Sequence, residues 1–138
     1  DLGGRPFRVP DEDKALYHAA ACMASNYLVT LMVLVQEIYG RMGLNREEAI
    51  RAFWPLVKGT IGNIESKGTI ASLTGPIARG DGGTIRKHVR GFRTRFPALL
   101  KLYREMGLLT VDVAARQGAL KEEQLAEIRS ILKGGKGG

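Results

Sequence analysis

Two groups of residues in this chain have the types and spacing needed to do chemistry. The first is a loop at residues 73–84, in which five of twelve positions are Gly or Pro and an arginine, an aspartate and two threonines are held between them. The second is a polar stripe of His18, Cys22 and Asn26, whose four-residue spacing places them on one side of a helix. Two histidines and one cysteine in the whole chain are too few for a zinc site.

Within the loop, Arg79 is the residue best suited to hold an anion, because a guanidinium can bind a carboxylate or phosphate through two parallel hydrogen bonds. Asp81 is predicted to cap the helix that follows it, and its carboxylate would then occupy the N–H groups with which a helix start binds anions. The run from Gly80 to Gly83 matches neither the P-loop nor the dinucleotide-binding pattern. His88, two turns further on, is predicted to be a surface residue. The alternative is that the loop only connects two helices.

The polar stripe lies on a long helix predicted from Asp11, as N-cap, to about Arg41. Its middle, residues 19–35, contains no charge. A membrane span needs about 20 apolar residues, and this shorter run includes Ser25, Asn26 and Thr30, so we predict no membrane span. A helix that is apolar on nearly all sides is instead expected to be buried by a second copy or another domain. His18 and Asn26 are then either hydrogen-bonded core residues or ligand contacts, and Cys22 a small buried residue.

Further helix signals follow along the chain. Asn45 and Glu48 form a capping-box pattern, and Pro55 predicts a kink or a fresh start in the helix that they open. Another helix is predicted from Gly82 to Arg95, and a last one from Glu122 to Leu132. Between them a helix is predicted from Pro97 to Arg116, with an apolar side made of Leu99, Leu100, Tyr103, Met106, Leu109, Thr110 and Val113.

No alternating strand pattern is found, so the predicted fold is all-α, with about six helices around one long buried helix. We expect an extended lead-in at residues 1–10, one helical domain at 11–133 and a flexible tail at 134–138. The single cysteine permits no intrachain disulfide, and with no signal peptide pattern at the start we expect a cytoplasmic protein.

The positive charge is concentrated beside the loop. Residues 79–104 hold eight Lys or Arg and one acid, whereas the rest of the chain holds thirteen of each sign. A basic face next to the loop implies an anionic partner, which is a phosphate-bearing ligand, a nucleic acid or an acidic protein surface.

Several segments together closely resemble the C-terminal domain of Rossmann-like proteins of the family called domain of unknown function 2520, over about residues 7–132. The segments that carry the resemblance are residues 16–21 (LYHAAA) with Ser25 and Asn26, residues 55–64 (PLVKGTIGNI), and residues 73–81 (LTGPIARGD) with Thr84, Ile85 and His88.

The resemblance implies a relative of 6-phosphogluconate dehydrogenase, ketopantoate reductase and pyrroline-5-carboxylate reductase. In that group the helical domain forms an intertwined dimer and supplies the substrate side of a cleft, and an N-terminal Rossmann domain, which we expect to be missing here, holds NADP or NAD. By this analogy the substrate contacts would be His18, Asn26, Thr74, Gly75, Pro76, Arg79 and Asp81. Several members use a lysine four residues before the asparagine, and Cys22 stands at that position, which puts proton transfer by a lysine in doubt.

The sequence is thus interpreted as the substrate-binding and dimerisation domain of an NAD(P)-dependent oxidoreductase of unknown substrate. Its expected partners are a second copy, the Rossmann domain and a small anionic substrate, and without the Rossmann half it should be inactive. The first alternative is a non-catalytic regulatory or scaffold protein of the same fold. The least favoured is a nucleic-acid-binding module that uses the basic residues 79–104.

Overall fold

A computed structural model describes residues 8–135, and every regular element within them is helical. The five helices are α1 (Asp11–Arg41), α2 (Arg46–Lys67), α3 (Gly82–Arg95), α4 (Pro97–Gln117) and α5 (Glu122–Lys133). The prediction of an all-α chain is therefore confirmed. Residues 1–7 of the predicted lead-in and residues 136–138 of the predicted tail lie outside the described residues.

The chain divides into two compact units, residues 1–57 and residues 58–138. Helix α2 begins in the first unit and ends in the second. The sequence of the first unit has six Lys or Arg and seven acids, whereas that of the second has fifteen Lys or Arg and seven acids. The excess positive charge therefore belongs to the second unit.

Helix α1 is continuous but not uniform. It opens with a 3-10 turn at Asp11–Asp13 and contains one wide π-helical turn at Met23–Tyr27. The prediction that Asp11 is the N-cap is wrong, because Pro10 occupies that position and no side chain caps the turn. Asp11 instead lies 2.6 Å from the Lys14 ammonium, a pair that forms within the first turn.

The apolar side chains of α1 are not covered by the rest of the chain. By length and composition this 31-residue helix could cross a membrane, and none of its most apolar window is buried. The burial predicted from the sequence therefore does not occur within one chain and would require a partner. Its large side chains that stay exposed are Leu16, Tyr17, Met23, Tyr27, Leu28, Val29 and Val33.

The start of α2 is the last segment of the first unit and packs against α1. The Asn45 side chain accepts a hydrogen bond from the Glu48 N–H at 3.0 Å, and the Glu48 carboxylate accepts one from the Asn45 N–H at 2.8 Å, so the predicted capping box is confirmed. Ala49 and Phe53 are buried, and the Phe53 ring lies 6.2 Å from that of Tyr39 on α1. Helix α2 then runs through Pro55, which excludes the predicted fresh start there.

The second unit has the larger core, in which α3, α4 and α5 pack against one another and against the loop at residues 73–84. The buried apolar residues of this core form one cluster. Its members are Ile77, Ile85, Val89, Val111, Ala114, Leu125, Ile128, Ile131 and Leu132. Phe96 ends α3 and Pro97 begins α4, as predicted. Gly118, in the left-handed conformation, ends α4.

The inner face of α4 differs from the predicted one. Met106 and Leu109 are exposed, whereas Gly107, Val111 and Ala114 are buried. The small Gly107 lets α5 approach so closely that a Cβ at this position would lie 2.8 Å from Leu132. Apolar residues occur on more than one side of α4, and this close packing against α5 decides which side faces inward.

Candidate functional site

The Gly/Pro-rich loop, residues 73–84, is held against the core of the second unit. Ile77, in the middle of the loop, is buried and belongs to the core cluster. Gln117, at the end of α4, donates hydrogen bonds from its side-chain amide to the carbonyls of Ile70 (2.8 Å) and Leu73 (3.0 Å). These contacts fix where the loop starts and where its centre lies.

Two glycines allow the loop to lie directly on α5. Gly80 has a φ of +70°, and a Cβ there would collide with the Gln124 side chain and come within 3.2 Å of Leu120. At Gly82, which is buried, a Cβ would lie 2.7 Å from the Glu127 carboxylate. Gly80 is favoured by its left-handed backbone, and at both positions a Cβ would force the Gln124 or Glu127 side chain to move. These two glycines therefore lie against α5.

Asp81 caps α3, as the sequence predicts. One carboxylate oxygen accepts a hydrogen bond from the Thr84 N–H at 2.9 Å, and the other accepts one from the Thr84 hydroxyl at 2.6 Å. The hydroxyl bond, followed by the backbone bond, lowers the pKa of the Asp81 carboxyl from its usual value. The positive charges of Arg79 and Lys87 act in the same direction. Both oxygens thus have partners within the loop, which assigns Asp81 to shaping the site.

Replacing Asp81 by asparagine should flatten the acid limb of the thermal stability profile. Because the folded-state pKa is lowered, the ionised cap stabilises the fold above about pH 4 and its contribution is lost as the pH falls through the folded value. Asparagine can still accept the Thr84 N–H bond but does not titrate. In Tm measurements across this range, wild type should lose more stability than Asp81→Asn, whereas the exposed control Glu105→Gln should follow wild type. Parallel profiles for Asp81→Asn and wild type would contradict the assignment.

The side of the loop away from α5 presents Thr74 and Arg79, both exposed, with Gly75 and Pro76 half-buried. The Arg79 N–H donates to the Gly75 carbonyl at 3.2 Å, and the Asp81 N–H donates to the Pro76 carbonyl at 2.9 Å. The backbone is thereby closed on itself and presents the Arg79 guanidinium to solvent. Of the predicted contacts in the loop, Thr74 and Arg79 are therefore the two that are free to meet a ligand directly.

The other predicted contacts lie on α1, in the first unit. Within the described residues, His18 Nε2 lies 3.6 Å from the Cys22 sulfur, and both Asn26 and His18 are exposed. The Asn26 carbonyl, inside the wide turn, accepts a hydrogen bond from the Thr30 hydroxyl at 3.2 Å. His18 and Asn26 thus belong to one unit, and the loop residues belong to the other.

The sequence did not predict the contact between His88 and Tyr103. His88 is exposed, as expected, but its Nδ1 lies 2.9 Å from the Tyr103 hydroxyl, and the Tyr103 ring stacks on Phe92 at 4.6 Å. Burial raises the pKa of the Tyr103 hydroxyl. No local pattern could have joined residues fifteen positions apart on two helices. The hint in the sequence was that His88 and Phe92 share one side of α3.

An open groove of about 700 Å³ lies beside the loop, between the C-terminal ends of α2 and α4. Its cationic residues are Lys67 and Arg116, each in the last turn of its helix. Cations at these positions complement the negative end of the helix dipole. The positions of Lys67 and Arg116 at the two helix ends account for the positive charge of the groove.

Comparison with protein families identifies one match. The family model described as domain of unknown function (DUF2520) matches residues 1–110, a span that contains α1, α2, the loop and α3 and ends inside α4. Comparisons with curated proteins and with solved structures find no significant match. Since the family model covers well over half of the sequence, the chain belongs to the DUF2520 family of domains of unknown function.

Proposed function

We propose that this chain is the substrate-binding and dimerisation domain of an NAD(P)-dependent oxidoreductase. The observation that carries the proposal is the exposure of α1, whose apolar side chains remain uncovered along most of the helix. Large exposed apolar surfaces mark interaction sites. The resemblance of the sequence to the family adds the expectation of a Rossmann domain that holds the nicotinamide.

The partner proposed for α1 is a second copy of the chain. Its seven large exposed side chains are 39–71% exposed. They provide apolar area toward the roughly 800 Å² that each partner contributes to a standard stable interface. The run of residues 19–35 carries no charge, so an identical helix can pack against it without burying an ion.

Arg79 is proposed as the anchor for an anionic substrate. It is exposed on the side of the loop that does not pack on α5, and a guanidinium can hold a carboxylate or phosphate through paired hydrogen bonds. Thr74, on the same exposed side, offers a hydroxyl. Asp81 holds the N-terminal turn of α3 in shape, while His18 and Asn26 are proposed as polar contacts from α1.

The start of α3 does not offer a dinucleotide the free N–H groups and exposed glycines that it would need. The Thr84 N–H at the start of α3 is used by Asp81, and Gly80 and Gly82 are covered by α5. The described residues also contain no strand to precede a nucleotide-binding turn. Cofactor binding is therefore assigned to a domain outside this sequence, and no hydride-transfer step is assigned to the residues of this chain.

The proposal is tested in the natural protein that carries this domain together with its nucleotide-binding domain. NADPH or NADH should raise the Tm of wild type and of Arg79→Gln equally. Arg79→Gln should raise KM for an anionic substrate about 10- to 100-fold, since a hydrogen bond to a charged group contributes about 1.5–3 kcal/mol. Lys133→Gln is the matched control and should leave both quantities unchanged.

Each outcome separates one part of the proposal from the rest. A Tm that responds to neither nucleotide would exclude the oxidoreductase assignment. A cofactor response with an unaltered KM in Arg79→Gln would remove Arg79 from the substrate site. If wild type shows no turnover and Arg79→Gln keeps full biological function, the result would favour a non-catalytic scaffold of the same fold.

A further inference from the structure

The outward face of α3 forms a positively charged surface that the proposed function does not use. The helix contains five Lys or Arg and no acid between Gly82 and Arg95. Its inward residues, Ile85 and Val89, are completely buried. Lys87 and Arg90, on the opposite side, are exposed. The sequence pattern alone left open whether these cations were directed to solvent, and the structure places them there.

Nearby acids neutralise only part of this charge. Glu127 on α5 binds Arg86 at 2.7 Å, and Asp112 on α4 binds Arg129 at 3.1 Å. Asp81 has both oxygens engaged by Thr84. Among the described residues, no acid forms an ion pair with Lys87 or Arg90 within 4.0 Å. These two cations are therefore available to an external anion.

The composition of this face distinguishes between classes of partner. Its exposed positions are occupied by cations, His88, Thr94, Gly83 and Gly91, and none is a large apolar residue. Stable protein–protein interfaces need buried apolar or aromatic anchors. Single-stranded nucleic acids need accessible aromatic rings for base stacking, whereas Phe92 is stacked on Tyr103. A duplex phosphate backbone requires cations and close approach, which this face offers.

We propose that the outward face of α3, centred on Lys87 and Arg90, binds the phosphate backbone of duplex DNA without sequence preference. An α-helix is about 10–12 Å wide with its side chains, and the major groove of B-DNA is about 12 Å wide. The face carries no Asn or Gln to read adenine edges, and Lys87 and Arg90 are assigned to phosphate oxygens. The binding rests on charge, and it is independent of Arg79 and of the proposed oxidoreductase activity.

The test is fluorescence anisotropy of a labelled random-sequence DNA duplex titrated with the chain at several salt concentrations. If Lys87 and Arg90 each neutralise one phosphate, log Kd changes with log salt with a slope of about 1.8, so raising salt from 50 to 200 mM weakens binding about 12-fold. Lys87→Gln/Arg90→Gln should reduce that slope by about 1.8. The matched control is Lys67→Gln/Arg116→Gln, which removes the same charges from the groove and should retain the slope.

Three results would overturn the proposal. The first is an absence of binding at 50 mM salt. The second is an equal loss of slope in both double variants, which would show that net charge and not the α3 face attracts the duplex. The third is tighter binding to a poly-glutamate peptide than to the duplex, which would assign the face to an acidic protein. Far-ultraviolet circular dichroism checks that both double variants remain folded. Their spectra should match that of wild type, because the replaced side chains are exposed.

Discussion

For the proposed dimer, replacing Val29 and Val33 by glutamate is expected to keep the chain monomeric at concentrations at which wild type associates. The two valines are 62% and 48% exposed and lie one turn apart in the uncharged part of α1. In a dimer that buries this helix, each glutamate would lose hydration without gaining a partner, at a cost of several kcal/mol per ion. The dimer dissociation constant should therefore rise at least 100-fold, since each 1.4 kcal/mol is a factor of ten.

Sedimentation velocity over a range of micromolar concentrations measures this effect. The matched control is Met106→Glu/Leu109→Glu, which introduces the same charges at exposed apolar positions of α4 and should remain dimeric. A monomeric wild type would contradict the dimerisation proposal. Flotation of wild type with phosphatidylcholine vesicles, abolished in Val29→Glu/Val33→Glu, would instead assign the apolar surface of α1 to lipid.

Ile128→Ala is expected to be the most destabilising single substitution among those considered. Ile128, on α5, is fully buried in the cluster that joins α3, α4 and the loop. Removing a buried isoleucine side chain down to alanine costs about 2–5 kcal/mol, because transfer energy is lost and a cavity is left. Domains of this size are stable by only about 5–15 kcal/mol, so the cost is a large fraction of the total.

Urea unfolding followed by circular dichroism measures the loss as a lower midpoint. Ile61→Ala is the matched control, since it removes the same atoms from a residue that is 49% exposed on α2. It should cost less than about 0.5 kcal/mol, as surface substitutions generally do. Equal midpoints for the two variants would contradict the assignment of Ile128 to the core.

Most parts of the fold that depend on local chemistry were predicted from the sequence, although Asp11 is not the N-cap of α1 and no helix starts at Pro55. The Asn45 and Glu48 capping box, the Asp81 cap and the break before Pro97 each involve residues within four positions of one another. Such interactions form with little help from the rest of the chain.

The parts that depend on distant packing were not predicted. Gln117 binds the carbonyl of Ile70 across 47 positions, and nothing local in either segment indicates that contact. The inner face of α4 is decided by the contact between Gly107 and Leu132. In the candidate site, Arg79 is exposed and its predicted role stays a prediction, and the contacts of Gly80 and Gly82 with α5 became clear only from the structure.

The wide turn at Met23–Tyr27 makes the apolar surface of α1 depend on residue count as well as on residue type. One extra residue in a turn rotates the following helix by roughly 100°. In a regular α-helix Leu28 would lie about 120° around the axis from Leu16. The wide turn returns it to within about 20°, in line with Leu16 and Met23. Loss of one residue from this turn would preserve composition and helicity, yet it would shift the two halves of α1 out of phase and split its apolar surface.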